Sequence, residues 1–177
     1  MTDAGDLVAQ LGGGARDEVD RIVAAWRRER PDLDVAPLEV LSRVTRLARH
    51  LDRARGVVFG RHGLEVWEFD VLAALRRSGA PYQLSPGQLV AQTMVTSGTM
   101  TNRIDRLEER GLVRRLPDPA DGRGVMVRLG PTGRDLVDAA LADLLDVERS
   151  LLAGLGEASR AELGRLLRDI LAPLDHA

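Results

Sequence analysis

Apolar residues recur at helical spacing along most of the chain, and short strand-like runs interrupt that spacing between about residue 82 and residue 129. Over 16–28, Val19, Ile22, Val23 and Trp26 fall at i, i+3, i+4 and i+7, which predicts an amphipathic helix that Pro31 ends. Pro37 then opens a long helical stretch from Leu38 to about Phe59, with Leu41, Val44, Leu47, Ala48 and Leu51 as its apolar stripe. Arg43, Arg46, Arg49 and Arg53 lie largely outside that stripe. A further helix is predicted over 65–77, stopped by Ser78-Gly79-Ala80-Pro81.

The pattern then shortens. Tyr82-Gln83-Leu84 reads as a short strand, and Ser85-Pro86 as the N-cap and first turn of a helix through Gln92. Thr96 or Ser97 caps the next helix, which runs to about Arg110, with Gly111 placed for a left-handed C-cap. Leu112–Leu116 and Val125–Leu129 read as two strands of a hairpin joined by the turn-rich segment 117–124. After Pro131 a long stripe through Leu136, Val137, Ala140, Leu141, Leu144 and Leu145 reaches Leu152, and Gly154 and Gly156 break it. Leu163, Leu166, Leu167, Ile170, Leu171 and Leu174 form a last amphipathic helix. The fold class is therefore mainly α with a small β-hairpin. Only five residues are aromatic, so the core is mostly Leu, Val and Ala, which suits packed helices.

Composition narrows the chemistry. Cysteine is absent, which removes disulfides, thiolate catalysis and cysteine redox sensing. His50, His62 and His176 are scattered, without close His or Cys partners for zinc and without a Ser-His-Asp context for hydrolysis. No phosphate-cradling glycine loop follows a strand. The expectation is a non-enzyme with no cofactor and no metal. No run of 18 uncharged apolar residues is present, and Met1–Gly14 is acidic and Gly-rich, unlike a signal peptide, so the expected location is the cytoplasm.

The net charge of −2 hides an asymmetry. Residues 38–130 hold 15 Arg against 10 acids, whereas the flanks hold 10 Arg against 17 acids. A basic middle in an acidic frame fits a nucleic-acid binder with helical dimerisation arms. All basic residues being Arg and none Lys points equally to a coding bias, so position has to carry the case.

Helix, short helix, longer helix and hairpin, in that order, describe a winged helix-turn-helix: one helix fits the major groove and the hairpin reaches the adjoining minor groove. In the helix 97–110, Met100, Ile104 and Leu107 share the inward face. Gly98, Thr101, Asn102 and Asp105 point away from it, and Ser97 and Thr99 lie where first-turn N–H groups can join them on a phosphate. Arg114, Arg115 and Arg128 flank the hairpin, where phosphate contact and a solvated strand face are both open.

The run MVTSGTMTNRIDRLEERGLVRRLPDPADGRGVMVRLGPTGRDL (94–136) resembles the core of MarR-family regulators. The family's Asp-x-Arg-Gly wing is present as Asp121-Gly122-Arg123-Gly124, and the Gly-Leu-Val link into the wing as Gly111-Leu112-Val113. The Thr-x-x-Gly that begins the following helix departs slightly, since Thr132 directly precedes Gly133. The resemblance spans 38–172. It implies that Arg123 inserts into the minor groove, that Asp121 braces the loop, and that the first helix and last two helices form a homodimer. The segments expected are a tail over 1–14, N-terminal helices over 15–61 that dimerise and wall a ligand pocket, the DNA-binding domain over 62–130, and C-terminal dimerisation helices over 131–177.

The chain is also similar to the urate-responsive subset of that family, through Trp26, Arg30-Pro31-Asp32-Leu33-Asp34, Glu68-Phe69-Asp70-Val71-Leu72 and Arg76-Arg77-Ser78-Gly79. There a Trp and an Arg hold the planar anion, and an Asp is tied to an Arg of the recognition helix. The resemblance places these roles on Trp26, Arg77, Asp70 and Arg103. Asp70 and Arg77 lie two turns apart on one helical face, and Arg103 is angled to reach back toward the helical body. A bound anion near Arg77 is expected to repel Asp70, strain its tie to Arg103 and shift the recognition helix. Urate, another aromatic acid or phenol, and no small ligand all remain open, and Trp26 serves equally as dimer-core packing. The expected function is a repressor dimer on a pseudo-palindromic operator in double-stranded DNA, released by a small aromatic anion. The alternative is an architectural or partner-recruited DNA-binding protein with no effector.

Overall fold

A computed structural model describes residues 16–119 and 124–175. The described elements are α1 (Glu18–Glu29), α2 (Ala36–Arg61), α3 (Val66–Arg77), β1 (Gln83–Leu84), α4 (Pro86–Thr93), α5 (Ser97–Glu109), β2 (Val113–Pro117), β3 (Val125–Leu129), α6 (Pro131–Leu151) and α7 (Glu157–Asp175). They divide into two compact units, a central one from His50 to Leu144 and a terminal one made of the chain up to Arg49 and from Leu145 on. The division falls inside α2 and α6, where the sequence pattern shows no break. Among the described residues no helix is long and apolar enough to cross a membrane, and no cluster of His, Cys, Asp or Glu is arranged to hold a metal.

The central unit is built around α3. Phe69, Val71, Leu72, Ala74 and Leu75 are all buried, and Phe69 stacks on Phe59 of α2 with ring centroids 4.0 Å apart. Leu89 of α4, Met100, Ile104 and Leu107 of α5, and Val137 and Ala140 of α6 complete the core. The three strands form an antiparallel sheet in the order β1-β3-β2, with Gln83 opposite Arg128 and Arg115 opposite Val127. Asp118 N–H donates to the Gly124 carbonyl at 2.9 Å and closes the neck of the hairpin.

Local signals in the sequence set these bounds. Ser85 caps α4 reciprocally: its hydroxyl accepts from Gln88 N–H, and its own N–H donates to the Gln88 side chain. Gly111 has φ +68 after α5, the left-handed stop that glycine adopts without steric cost. Gly133 answers a different need, because a Cβ there would sit 2.3 Å from the Leu112 carbonyl oxygen. The first turn of α6 thus lies directly against the start of β2.

The terminal unit is lightly packed. Val19 and Val23 of α1 are buried with Val35, and Leu38 packs beside them. Asp17 caps α1, and Arg43 of α2 donates to both Asp17 and Asp20, so that hydrogen bonding to Arg43 holds the Asp17 carboxyl below its ordinary value. The apolar stripe of α2 is exposed at Val40, Leu41, Val44 and Leu47. Along α7, Leu163, Leu166, Ile170, Leu171 and Leu174 are exposed as well.

Candidate nucleic-acid interface

Helices α4 and α5 are joined by a three-residue turn in which Met94 takes a left-handed backbone (φ +51) and is 93% exposed. Thr96 caps α5: its hydroxyl accepts from Thr99 N–H and is hydrogen-bonded to the Thr99 hydroxyl at 2.9 Å. With Met100, Ile104 and Leu107 buried, the opposite face at the start of α5 presents Ser97, Gly98, Thr99, Thr101 and Asn102 to solvent. This places Ser97, Thr99, Thr101 and Asn102, four of the residues expected to meet DNA, on one exposed, capped helix start. The Thr99 hydroxyl is bonded to that of Thr96, and the Thr101 hydroxyl donates to the Ser97 carbonyl. The Ser97 hydroxyl and the first-turn N–H groups of Ser97 and Gly98 are therefore what suit a phosphate oxygen, and the Asn102 amide suits a base edge.

The wing is fastened to this helix by Arg115. Its guanidinium takes Asp105 at 2.6 Å and Glu108 at 2.6 Å, and its backbone N–H donates to Glu108 at 2.7 Å. The backbone and side-chain bonds from Arg115 together hold the Glu108 carboxyl below its usual range. Arg115 is therefore a clamp between β2 and α5, and Asp105, though exposed, is spent on it. Arg128 is held by the Gln83 side chain at 2.7 Å, whereas Arg114 is exposed and has no acid in reach among the described residues. Asp121 and Arg123 lie outside the described residues.

The body of α5 rests on the start of α3. Arg103 and Arg106 both lie over the Trp67 ring, at 5.4 Å and 4.7 Å from its centroid. Glu65 accepts from the Trp67 indole N–H at 2.7 Å and from Arg106 at 2.5 Å, and these two donors lower its carboxyl pKa. At the far end of α5, Arg110 donates to Glu68 at 2.6 Å and to the Gly63 carbonyl at 3.0 Å. Glu68 is only 1% exposed, and its carboxylate also accepts from Glu65 N–H at 2.8 Å.

The expected tie between Asp70 and Arg103 is not formed. Asp70 is paired with Arg55 of α2 at 2.5 Å, while Arg103 lies on Trp67. Arg103 does reach back to α3, but it meets that helix one turn before Asp70, at the residue three positions earlier on the same face. Arg77 is exposed at the end of α3, with no acid in reach among the described residues. Trp26, in the terminal unit, is 48% exposed on α1. Sequence reading missed Trp67, Glu65, Arg106 and the Glu68–Arg110 pair. The only available signal was an aromatic residue between two acids, Glu65-Val66-Trp67-Glu68, at a helix start.

A capped, polar-faced second helix behind a tight turn, with a three-stranded wing clamped to it, defines a winged helix-turn-helix DNA-binding protein. A model of the MarR family matches residues 62–124. The chain is 42% identical over 150 residues to the HTH-type transcriptional regulator PecS of Dickeya dadantii, a match covering 85% of this chain and 90% of that protein. It belongs to the MarR family and is a DNA-binding transcriptional regulator. Among solved structures, a mutant of E. coli MarR complexed with operator DNA is similar at 27% identity and TM-score 0.65, covering 78% of this chain and 99% of that one. BpsR of Bordetella bronchiseptica, whose DNA binding is regulated by 6-hydroxynicotinic acid, is similar at 32% identity and TM-score 0.56, covering 72% and 98%.

Proposed function

We propose that this chain acts as a homodimeric repressor that binds a pseudo-palindromic operator and is released by a small aromatic anion, urate being the first to test. The observation that carries the DNA reading is the start of α5, where Ser97, Thr99, Thr101 and Asn102 are exposed beside a capped first turn. The dimer reading is supported by the bare apolar faces of α2 and α7, since a lone chain gains nothing by leaving Leu41, Leu166 and Ile170 in water. A two-fold dimer presents its recognition helices about one DNA turn apart, roughly 34 Å.

The effector reading rests on the resemblance and on BpsR, a relative regulated by an aromatic acid. Asp70 and Arg77 on α3 and Trp26 on α1 remain the residues proposed for it. Because Asp70 is paired with Arg55, an anion at Arg77 would perturb that pair first. The second reading, DNA binding without an effector, has no observation of its own in favour.

The test is a gel shift of the purified protein on the DNA upstream of its own gene, with urate, 6-hydroxynicotinic acid or no addition. Release by either acid supports the effector reading. A shift indifferent to both and to a wider set of aromatic acids leaves the DNA regulator and removes the effector. No shift on that or any genomic fragment overturns the operator reading. Arg123→Ala is expected to weaken the shift while the dimer persists, and wild-type affinity in that variant removes the wing assignment.

A further inference from the structure

We propose that Trp67 is a positioning residue for DNA binding, whose indole face orients Arg103 of the recognition helix toward a backbone phosphate. The inference rests on the reading of α5 as the recognition helix. Two arginines share one ring, but their surroundings differ. Arg106, 4.7 Å from the Trp67 centroid, is also paired with Glu65, so its charge is met within the protein. Arg103, 5.4 Å from the same centroid, has no acid within salt-bridge reach among the described residues.

That difference matters chemically. A carboxylate would fix Arg103 by neutralising it and occupying its N–H donors. An aromatic face attracts the flat side of a guanidinium and leaves the in-plane N–H groups free for a planar, bidentate anion such as phosphate. Holding the long side chain in one arrangement beforehand also reduces the rotamer entropy lost on binding. Trp67 is itself fixed, because its indole N–H donates to Glu65 at 2.7 Å. Arg103, half-exposed at the middle of α5, follows the exposed Asn102 directly and lies one turn beyond Thr99, so it shares a helical face with that expected DNA contact.

The experiment is a double-mutant cycle read by fluorescence anisotropy at several NaCl concentrations, on a labelled duplex that the wild-type protein enriches from a random pool. Arg103→Gln is expected to weaken binding about tenfold and to flatten the slope of log K against log salt by about 0.9, the share of one phosphate. Trp67→Leu is expected to weaken binding about three- to fivefold, in line with an ordinary cation–π contact. Trp67→Tyr, which keeps a ring under Arg103, should stay within about twofold of wild type. Trp67→Leu combined with Arg103→Gln should be no weaker than Arg103→Gln alone. Losses that simply multiply in the double variant, or an affinity and salt slope untouched by Trp67→Leu, overturn the proposal.

A second measurement leaves Trp67 in place. In the Trp26→Phe protein Trp67 is the remaining indole of the chain's two tryptophans, and Arg103→Gln should shift its emission. An unchanged spectrum overturns the proposal even if Trp67→Leu fails to fold. Wild-type protein that enriches no duplex removes the DNA reading itself. Wild-type binding unaffected by Arg103→Gln removes only the proposal.

Discussion

The central and terminal units use the same kind of apolar stripe for opposite ends. Helix α3 buries Phe69, Val71, Leu72, Ala74 and Leu75 within one chain, whereas α7 buries none of its leucines. The polar contacts diverge in the same way. The ion pairs of α7, such as Arg165 with Glu162 and Asp169, stay along its own surface at i, i+3 and i, i+4. Those of α5 reach across to α3 and to β2. The central unit thus buries its apolar stripe within one chain, whereas the terminal unit leaves the apolar faces of α2 and α7 exposed. An amphipathic period in sequence predicts that a face will be covered, but not by which chain.

This contrast breaks first at the terminal face. Replacing Leu166 and Ile170 together by Asp should convert the dimer to monomer in analytical ultracentrifugation and weaken operator binding by about a hundredfold or more, while the far-ultraviolet spectrum is kept. The basis is that buried charges in an interface core cost several kcal/mol. A persistent dimer would show that α7 is not the interface. Within the central unit, Leu72→Ala should cost about 2–5 kcal/mol of unfolding free energy in urea, the range for a buried leucine. Gly133→Ala forces a Cβ against the Leu112 carbonyl and should cost about 1–3 kcal/mol through overpacking. An effect below about 0.5 kcal/mol, the ordinary surface level, would show that α6 can shift away from β2 at little cost.

The smallest effect is in acid. Glu65 and Glu108 have lowered folded pKa values, held down first by the Trp67 bond and the Arg115 backbone bond respectively. Their stabilising contribution is fully present above the unfolded glutamate value of about 4.3 and fades as pH falls through the folded values. Glu108→Gln should therefore flatten the loss of stability below about pH 4.3 and leave the slope at neutral pH unchanged. An unaltered acid limb would remove Glu108 from the clamp.

Much of this architecture is legible before any coordinates. The Ser85-Pro86 start, a cap at Thr96 or Ser97 and the Gly111 stop are local chemistry, so α4 and α5 begin and end within a residue or two of where the pattern places them, with Thr96 taking the cap. Helix α7 begins at Glu157, earlier than its first periodic leucine at Leu163, because its first turn and a half is polar or small and hydrophobic spacing says nothing there. The exposed face of α5 followed directly from the Met100–Ile104–Leu107 stripe. The tertiary partners of charged side chains did not follow. Arg103 has Trp67 and Asp70 one turn apart on the same face of α3, and angle alone does not distinguish them. In sequence Arg115 is open between phosphate contact and a solvated strand face, and the structure gives it a third place, paired with Asp105 and Glu108 where β2 runs alongside α5.

The buried carboxylate of Glu68 anchors the rear of α5. Arg110, at the rear of α5, is pinned to Glu68 and to the Gly63 carbonyl, while Ser97 at the front is in solvent. At 1.5 Å per residue the arm is roughly 20 Å long, so a rotation of about five degrees about the pin carries the front through roughly 1.7 Å. That travel separates a bonded donor from its acceptor. The Arg115 clamp, the Arg106–Glu65 pair and the buried Met100–Ile104–Leu107 stripe hold the rest of the helix against such a rotation, so the front of α5 is kept in place by several ties along its length.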